Sequence, residues 1–472
     1  MKNRNRTGYL LLFTTAFALS CKVSKDYQRP ALSDLPKQFR GTTYSDTSSI
    51  ANIEWKTFFT DTSLQSLIAK GIAYNNDLQL AIKRIDVAQL QAKQAKLLWL
   101  PQIDAQITGQ YDRMSGNSFN GLSTQSFLNT NHIEDYVVGL DLSWEADIWG
   151  KISRQKEAAL DTYLQTYEAK KAVQTEVVAD IASGFYNLLM LDKQLAIAKS
   201  NLLLSDSTLR LTRLLKDAGE ATLLSIEQTE AQRQSVALLV PQLEQSIILQ
   251  ENSLQLLTGQ YPDSIAVHAQ LADFSVPENL PVGLPAAIVS NRPDVRSAEI
   301  DVMIANAKVG IAQSYMYPSL TIDAAAGLES FKASNWFNIP GSLFGIVTGG
   351  IAQPIFDHKQ LKTNYQVAKL QRDQSVIQFR QSVLNAVTDV SNALVSVDKL
   401  KEEEQIANAE TTTLHQAISN SLLLYKSDMA NYLDVITAQS SALQAELNLA
   451  AIRSRELMAV VELYRSVGGG WK

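Results

Sequence analysis

The strongest constraint on this 472-residue chain is an internal duplication. Asp77-Leu78 and Asp294-Val295 open helical patterns, and Pro101 and Pro318 close them; 77 to 294 and 101 to 318 are both steps of 217. At the same step Ala81, Ala88 and Ala95 fall on Ala298, Ala305 and Ala312. Alanines seven apart form one small-residue stripe on a helix, which permits close helix packing. A repeat of this length governs the whole fold and must be read before any local element. Further on, Asp147-Ile148-Trp149 matches Pro354-Ile355-Phe356, and the Gly219-Glu220-Ala221 turn matches Asp428-Met429-Ala430. A longer loop in the first copy, around Met114 to Glu134, accounts for the shorter later steps.

Each copy predicts the same order of elements: a helix (about 64–98, then 285–315), two short strands, a very long helix (about 151–217, then 359–427), a tight turn, and a further helix (about 221–257, then 432–465). The division is residues 1–20 as a signal peptide, 21–63 as an N-terminal segment, 64–259 as the first repeat with its hairpin at 102–145, 260–284 as a connector, 285–466 as the second repeat with its hairpin at 318–355, and 467–472 as a tail. About 67 residues at 1.5 Å each make a helix of about 100 Å, longer than one globular core requires. Leu188, Leu191, Leu195, Ala198, Leu202, Ser205 and Leu209 step by three and four, as do Leu433, Ile436, Ser440, Leu443 and Leu447. That spacing implies left-handed coiled packing.

After Pro101 the period changes to two. Ile103, Ala105, Ile107, Gly109 and Tyr111 alternate with Asp104, Gln106, Thr108 and Gln110. Val138, Leu140, Leu142 and Trp144 oppose Gly139, Asp141 and Ser143; Leu320, Ile322, Ala324 and Leu328 oppose Thr321 and Asp323. A fourth, glycine-rich strand spans about 345–353. Each run is near the 9–11 residues that cross a bilayer as a tilted strand, and aromatic residues such as Tyr111, Tyr136, Trp144 and Trp336 lie near the ends, as interfacial girdles do. Alternation alone also fits a half-buried sheet on a globular domain. Four strands cannot close a barrel, and open edges are not tolerated in lipid. Two chains would supply eight strands, too few for a water-filled pore, and three supply twelve.

The N-terminus has Lys2, Arg4 and Arg6, an apolar run from Tyr9 to Leu19, and then the chain's single cysteine, Cys21. This order reads as a secretory signal whose cysteine is acylated, which anchors a protein without spanning the membrane; the other reading is an ordinary signal with a chance cysteine. One cysteine excludes an intramolecular disulfide, and the four histidines show no ligand spacing. A net charge of -6 without a basic stripe argues against nucleic acid as a partner. No nucleophile–base set appears, so no enzyme and no cofactor is expected.

Several blocks then carry a resemblance. Asn291-Arg292-Pro293-Asp294-Val295-Arg296-Ser297-Ala298-Glu299, Ala305-Asn306-Ala307 and Tyr317-Pro318-Ser319-Leu320 resemble the signature of TolC-like outer membrane efflux proteins. Asp26-Tyr27-Gln28-Arg29-Pro30, Trp55 to Asp61, Ser143 to Lys151 and Tyr432-Leu433-Asp434-Val435 resemble the lipoprotein branch of OprM-like outer membrane factors. The resemblance covers essentially the whole mature chain. It implies a homotrimer with a twelve-stranded barrel in outer membrane lipid and a twelve-helix periplasmic tunnel. It also implies a periplasmic adaptor and an inner-membrane pump, commonly of the resistance–nodulation–division type, as partners. A protein-secretion channel shares the fold, and a non-transporting periplasmic coiled-coil scaffold is the third reading.

The two helix-reversing turns are the expected periplasmic tip. Lys216, Ala218, Gly219, Glu220, Ala221, Met429 and Ala430 are the expected adaptor contacts; Gly219 suits the left-handed residue that ends a helix. The second turn has Asp428 where the family usually has glycine. Asp434 matches an acidic gate position of the family, and Asp428 and Asp434 are the candidate gate residues; a surface aspartate or local ion pair is the other reading of Asp434. Arg292, Pro293 and Asp294 read as a helix-start device, since proline is tolerated in a first helical turn beside a carboxylate. Arg296 and Glu299 are spaced to pair at i,i+3.

Overall fold

The computed structural model describes residues 23–32, 35–40, 48–277, 280–427 and 429–472. The expected signal peptide, Cys21 and Asp428 lie outside the described residues. The helices are α1 Trp55–Phe58, α2 Thr62–Tyr74, α3 Asn76–Ala95, α4 Phe119–Leu128, α5 Lys151–Asp217, α6 Leu223–Leu257, α7 Pro285–Asn291, α8 Pro293–Ser314, α9 Gln360–Lys426 and α10 Tyr432–Ser466. The strands are β1 Gln102–Arg113, β2 His132–Glu145, β3 Ser319–Ser330 and β4 Leu343–Ala352. No described helix is long and apolar enough to cross a membrane.

One unit, residues 1–30, 87–164 and 300–377, holds the sheet. Its four strands run antiparallel in the order β1-β2-β3-β4, so the two copies contribute adjacent hairpins. Trp149 Nε1 donates to the Pro318 carbonyl at 2.7 Å, tying the end of the first hairpin to the start of the second. Trp144 Nε1 likewise donates to the Trp99 carbonyl at 2.8 Å. Asp147 then caps α5, its carboxylate accepting from the Ile152 and Ser153 amides at 2.8 Å. A carboxylate there satisfies orphan amides and the positive end of the helix dipole. The residue doing the same for α9 is Asp357, which accepts from Leu361 N at 2.7 Å. Pro354, which the aligned motif places opposite Asp147, has no carboxylate with which to cap.

The other unit, residues 31–86, 165–299 and 378–472, is helical, and its core is apolar. Ile181, Ala182, Phe185 and Leu188 of α5 are buried together with Leu64, Ile68, Leu254 and Val295. The α10 end is fixed by Tyr464, which stacks on Phe58 at 4.0 Å between centroids and donates from its hydroxyl to the Ile53 carbonyl at 2.6 Å. A buried tyrosine with a satisfied hydroxyl is the usual solution for that side chain.

Three expectations require correction. The single helices expected over 64–98 and 285–315 are each broken, at Asn75 and at Arg292. Positions 75 and 292 are again 217 apart, so the break belongs to the duplicated plan. Asn75 sits at ψ 128 and its side-chain oxygen accepts from Leu78 N, which starts α3 afresh. Arg292 sits at ψ 120 because the residue before a proline is driven out of the helical region. The first outer loop is not featureless: α4 lies within it, capped by Ser118 and closed by Asn129 in the left-handed region. Its interior has no charge, and Asn and Ser at its ends act as caps. Finally, the buried stripe of α10 begins Val435, Gln439, Ala442, Leu443 and Ala445; of the expected heptad Leu443 is buried, whereas Leu433 and Ser440 are exposed.

Candidate functional site

The strand register assembles one face that is apolar and one that is polar. Paired residues share a face, and Ala105 opposes Leu140, Ile107 opposes Val138, Leu142 opposes Ala324, and Ala324 opposes Val347. Ile103, Ile107, Leu140 and Val347 on this face are exposed. Tyr136 meets Trp336 at 5.4 Å near one end of the strands, as a girdle requires.

The opposite face carries Asp104, Asp112, Asp135, Asp141, Glu145, Asp323 and Glu329, and among the strand residues of that face there is no lysine or arginine. Asp104 pairs directly with Asp141, and Ser143 Oγ donates to Asp323 at 2.7 Å across the junction of the two hairpins. Gln102 and Gln110 donate to Asp104 and Asp112. Glu145 is paired with Lys151 of α5, and the remaining carboxylates give the face a negative potential. Sequence alternation identified both faces; the number of carboxylates brought together emerges only from the register.

The two helix-reversing turns are built alike. At the first, Glu220 N donates to the Leu215 carbonyl at 2.8 Å and Gly219 adopts φ 87. A bond reaching back over five residues with glycine in the left-handed region is a Schellman closure. At the second, Met429 N donates to the Leu424 carbonyl at 2.9 Å. The steps 220 to 429 and 215 to 424 are both 209, so the same hydrogen bond recurs in the second copy. Lys216, Ala218, Gly219, Glu220 and Met429 are exposed, and Ala221 and Ala430 are half-buried. Thr222 caps α6 through Ser225 N, and Asn431 caps α10 through Leu433 N and Asp434 N. Asp434 returns the contact: its carboxylate accepts from Asn431 N at 3.0 Å, completing a capping box. The expected gate residue thus has a local structural task while its side chain stays exposed. The turns are also held by side chains of which only Tyr432 belongs to a motif singled out in the sequence. Tyr432 donates to Gln228, Gln439 donates to Thr208 at 2.8 Å, and Arg233 pairs with Asp206 at 2.6 Å.

The motif at the start of α8 goes beyond helix initiation. Arg292 donates to both Asp294 oxygens, at 3.0 and 2.7 Å, to Asp389 at 2.9 Å and to the Ser466 carbonyl at 3.1 Å. It thereby fastens α8 to α9 and to the end of α10. Pro293 opens α8, and Arg296 pairs with Glu299 at 2.7 Å, both as expected. Asp389 was missed because it lies 97 residues away with no local motif.

Among the described residues no group of histidine, cysteine, aspartate or glutamate has the arrangement of a metal site.

Comparison with known proteins agrees with this geometry. The chain is 27% identical over 465 residues to the cation efflux system protein CusC of Escherichia coli strain K12, covering 98% of this chain and 99% of the relative. It is 26% identical over 467 residues to the probable outer membrane lipoprotein SilC of Salmonella typhimurium, with 98% of each covered. Its fold matches the solved outer-membrane channel OprN with a TM-score of 0.86 at 24% identity, over 96% of this chain and 100% of that one. Such proteins combine a helical tunnel with a β-barrel, and they are channels rather than enzymes. Residues 67–260 and 284–469 match the outer membrane efflux protein family, and the chain belongs to that family.

Proposed function

We propose that three copies of this chain form a passive exit duct across an outer membrane, through which an inner-membrane pump of the resistance–nodulation–division type expels small molecules by way of a periplasmic adaptor. The observation that carries this reading is the two-faced sheet with an outer edge on β1 and on β4. In lipid such edges must be paired, and a barrel is the arrangement that pairs them all. Twelve strands enclose a lumen lined by the acidic face, with the apolar face against the acyl chains. Rings of carboxylates favour cations, and CusC is named for cation efflux.

In this reading Cys21 bears the lipid, supported by the name of SilC as a lipoprotein. The exposed turns around Gly219 and Met429 meet the adaptor. Asp434, together with Asp428, places negative charge at the periplasmic mouth and narrows it. Purified protein reconstituted in planar bilayers tests the proposal. A heat-sensitive trimer with large conductance and a cation-selective reversal potential is the expected result. Absence of both trimer and conductance would instead identify a periplasmic scaffold. Cysteines placed at Gly219 or Ala430 should crosslink to the adaptor.

A further inference from the structure

The first described residues, from Val23 onward, run as a strap without regular secondary structure in the sheet-containing unit. Arg154 grips the strap through several hydrogen bonds. Arg154, in the first turn of α5, is only 4% exposed. Its Nε donates to Ser24 Oγ at 2.7 Å, and its Nη2 donates to the Ser24 carbonyl at 3.1 Å and to Asp26 at 2.8 Å. Its Nη1 donates to Glu157 at 2.5 Å. A buried guanidinium demands partners for its whole donor fork, and here most of them come from the strap.

The helices are shaped for this contact. A Cβ on Gly310 of α8 would lie 2.7 Å from Ser24 Oγ and 3.0 Å from Arg154 Cγ, so only glycine admits the strap there without displacement. Asn306, one turn earlier on α8, donates to the Lys25 carbonyl at 3.2 Å. A cavity of about 660 Å³ runs beneath the strap, lined by Ser24–Gln28 and Pro30 on one side and by Val302, Arg372 and Val376 on the other. Over Ser24–Asp26 the strap is held by hydrogen bonds and charge.

We propose that Arg154 is the positioning residue for the N-terminal strap, and that it tethers the lipid-anchored end of the chain to the first turn of α5. The anchoring part of this inference rests on the reading of Cys21 as the acylated residue. Ser24 lies three residues after Cys21, a step that spans at most about 11 Å. The clamp therefore confines the acyl group to the neighbourhood of the β2–α5 junction, the end of the helix that adjoins the sheet. Any pull from the membrane anchor is delivered there.

Limited trypsin digestion of the full chain in native membranes tests this through cleavage after Lys25, whose backbone the clamp holds. Arg154→Gln on the helix side and Asp26→Ala on the strap side should each accelerate that cleavage at least tenfold. The double variant should be no faster than the quicker single one, because both break one contact. Arg154→Lys, which keeps the charge and one donor direction, should restore part of the protection. Asp26→Ala leaves α5 intact and serves where the arginine variant fails to assemble. If Arg154 served only to stabilise α5, Arg154→Gln would lower the unfolding midpoint and Asp26→Ala would leave cleavage unchanged; that pattern, or cleavage within twofold of the parent in both variants, overturns the proposal. Mass spectrometry of the N-terminal peptide separates the two readings. A protected strap on an unacylated Cys21 refutes the anchor and keeps the clamp, whereas an acylated Cys21 on an unprotected strap refutes the clamp.

Discussion

Arg292 and Asp389 meet at 2.9 Å between Nη1 and Oδ2, joining the helix break of the second copy to the middle of its longest helix. The guanidinium is 8% exposed and completes its fork with Asp294 and the Ser466 carbonyl. Removing one partner of a buried pair strands the other charges and costs about 3–5 kcal/mol. Arg292→Ala should lower stability by that order in chemical denaturation of the detergent-solubilised protein. Arg292→Lys should recover only part, since an ammonium cannot hold two carboxylates and a carbonyl in one plane.

The same cluster predicts an acid limit. Burial raises the Asp294 pKa, but the hydrogen bond and charge of Arg292 outweigh it and hold the carboxyl below its ordinary value. A carboxylate with a depressed folded pKa stabilises fully above the unfolded pKa of about 3.9 and loses that contribution as pH falls through the folded value. Unfolding followed by circular dichroism should therefore show this contribution intact at pH 5 and lost well below pH 4. The Arg292→Ala chain should be much less sensitive to acid over that range.

Asp161 should behave in the opposite sense. It is 4% exposed, its Oδ2 has no hydrogen-bond partner, and burial followed by the Glu157 charge pushes its pKa up to about 6. With the folded pKa above the unfolded one, the stability contribution is largest below about pH 4 and declines as pH rises through about 6. Asp161→Asn should raise stability at pH 7 by about 2–3 kcal/mol and confer no gain at pH 4. Equal gains at both pH values would refute the assignment.

Asp434 combines a capping task with an exposed charge, and two substitutions separate them. Asp434→Asn keeps an oxygen that can accept from Asn431 N and removes the charge; Asp434→Ala removes both. If the charge gates the mouth, both raise leak conductance in planar bilayers. Only Asp434→Ala should also cost about 0.5–2 kcal/mol of helix-capping stability. Parent-like conductance in the asparagine variant would leave Asp434 as a cap alone.

Gly469 tests how the C-terminal residues are docked. A Cβ there would lie 2.3 Å from the Tyr464 ring, which is itself clamped between Phe58 and the Ile53 carbonyl. The ring has no room to yield, so Gly469→Ala should destabilise by about 1–3 kcal/mol as overpacking does. Faster carboxypeptidase release of Trp471 and Lys472 would report it.

Local periodicity and the duplication already determined a good deal of this protein. The period-two runs after Pro101 and Pro318 became β1 to β3 with the expected faces, because alternation is a property of the strand itself. The long helices over 151–217 and 360–426 were legible for the same reason: a helical pattern needs no distant partner. Tertiary structure decided the rest. Arg292 finds Asp389, and Arg154 finds Ser24 and Asp26, over separations of 97 to 130 residues that no motif spans. Seven carboxylates share one face because strand register, not spacing along the chain, sets which side chains are neighbours. The buried stripe of α10 differs from its leucine heptad because burial depends on which helices pack against it, and hydrophobicity read along one helix does not contain that information.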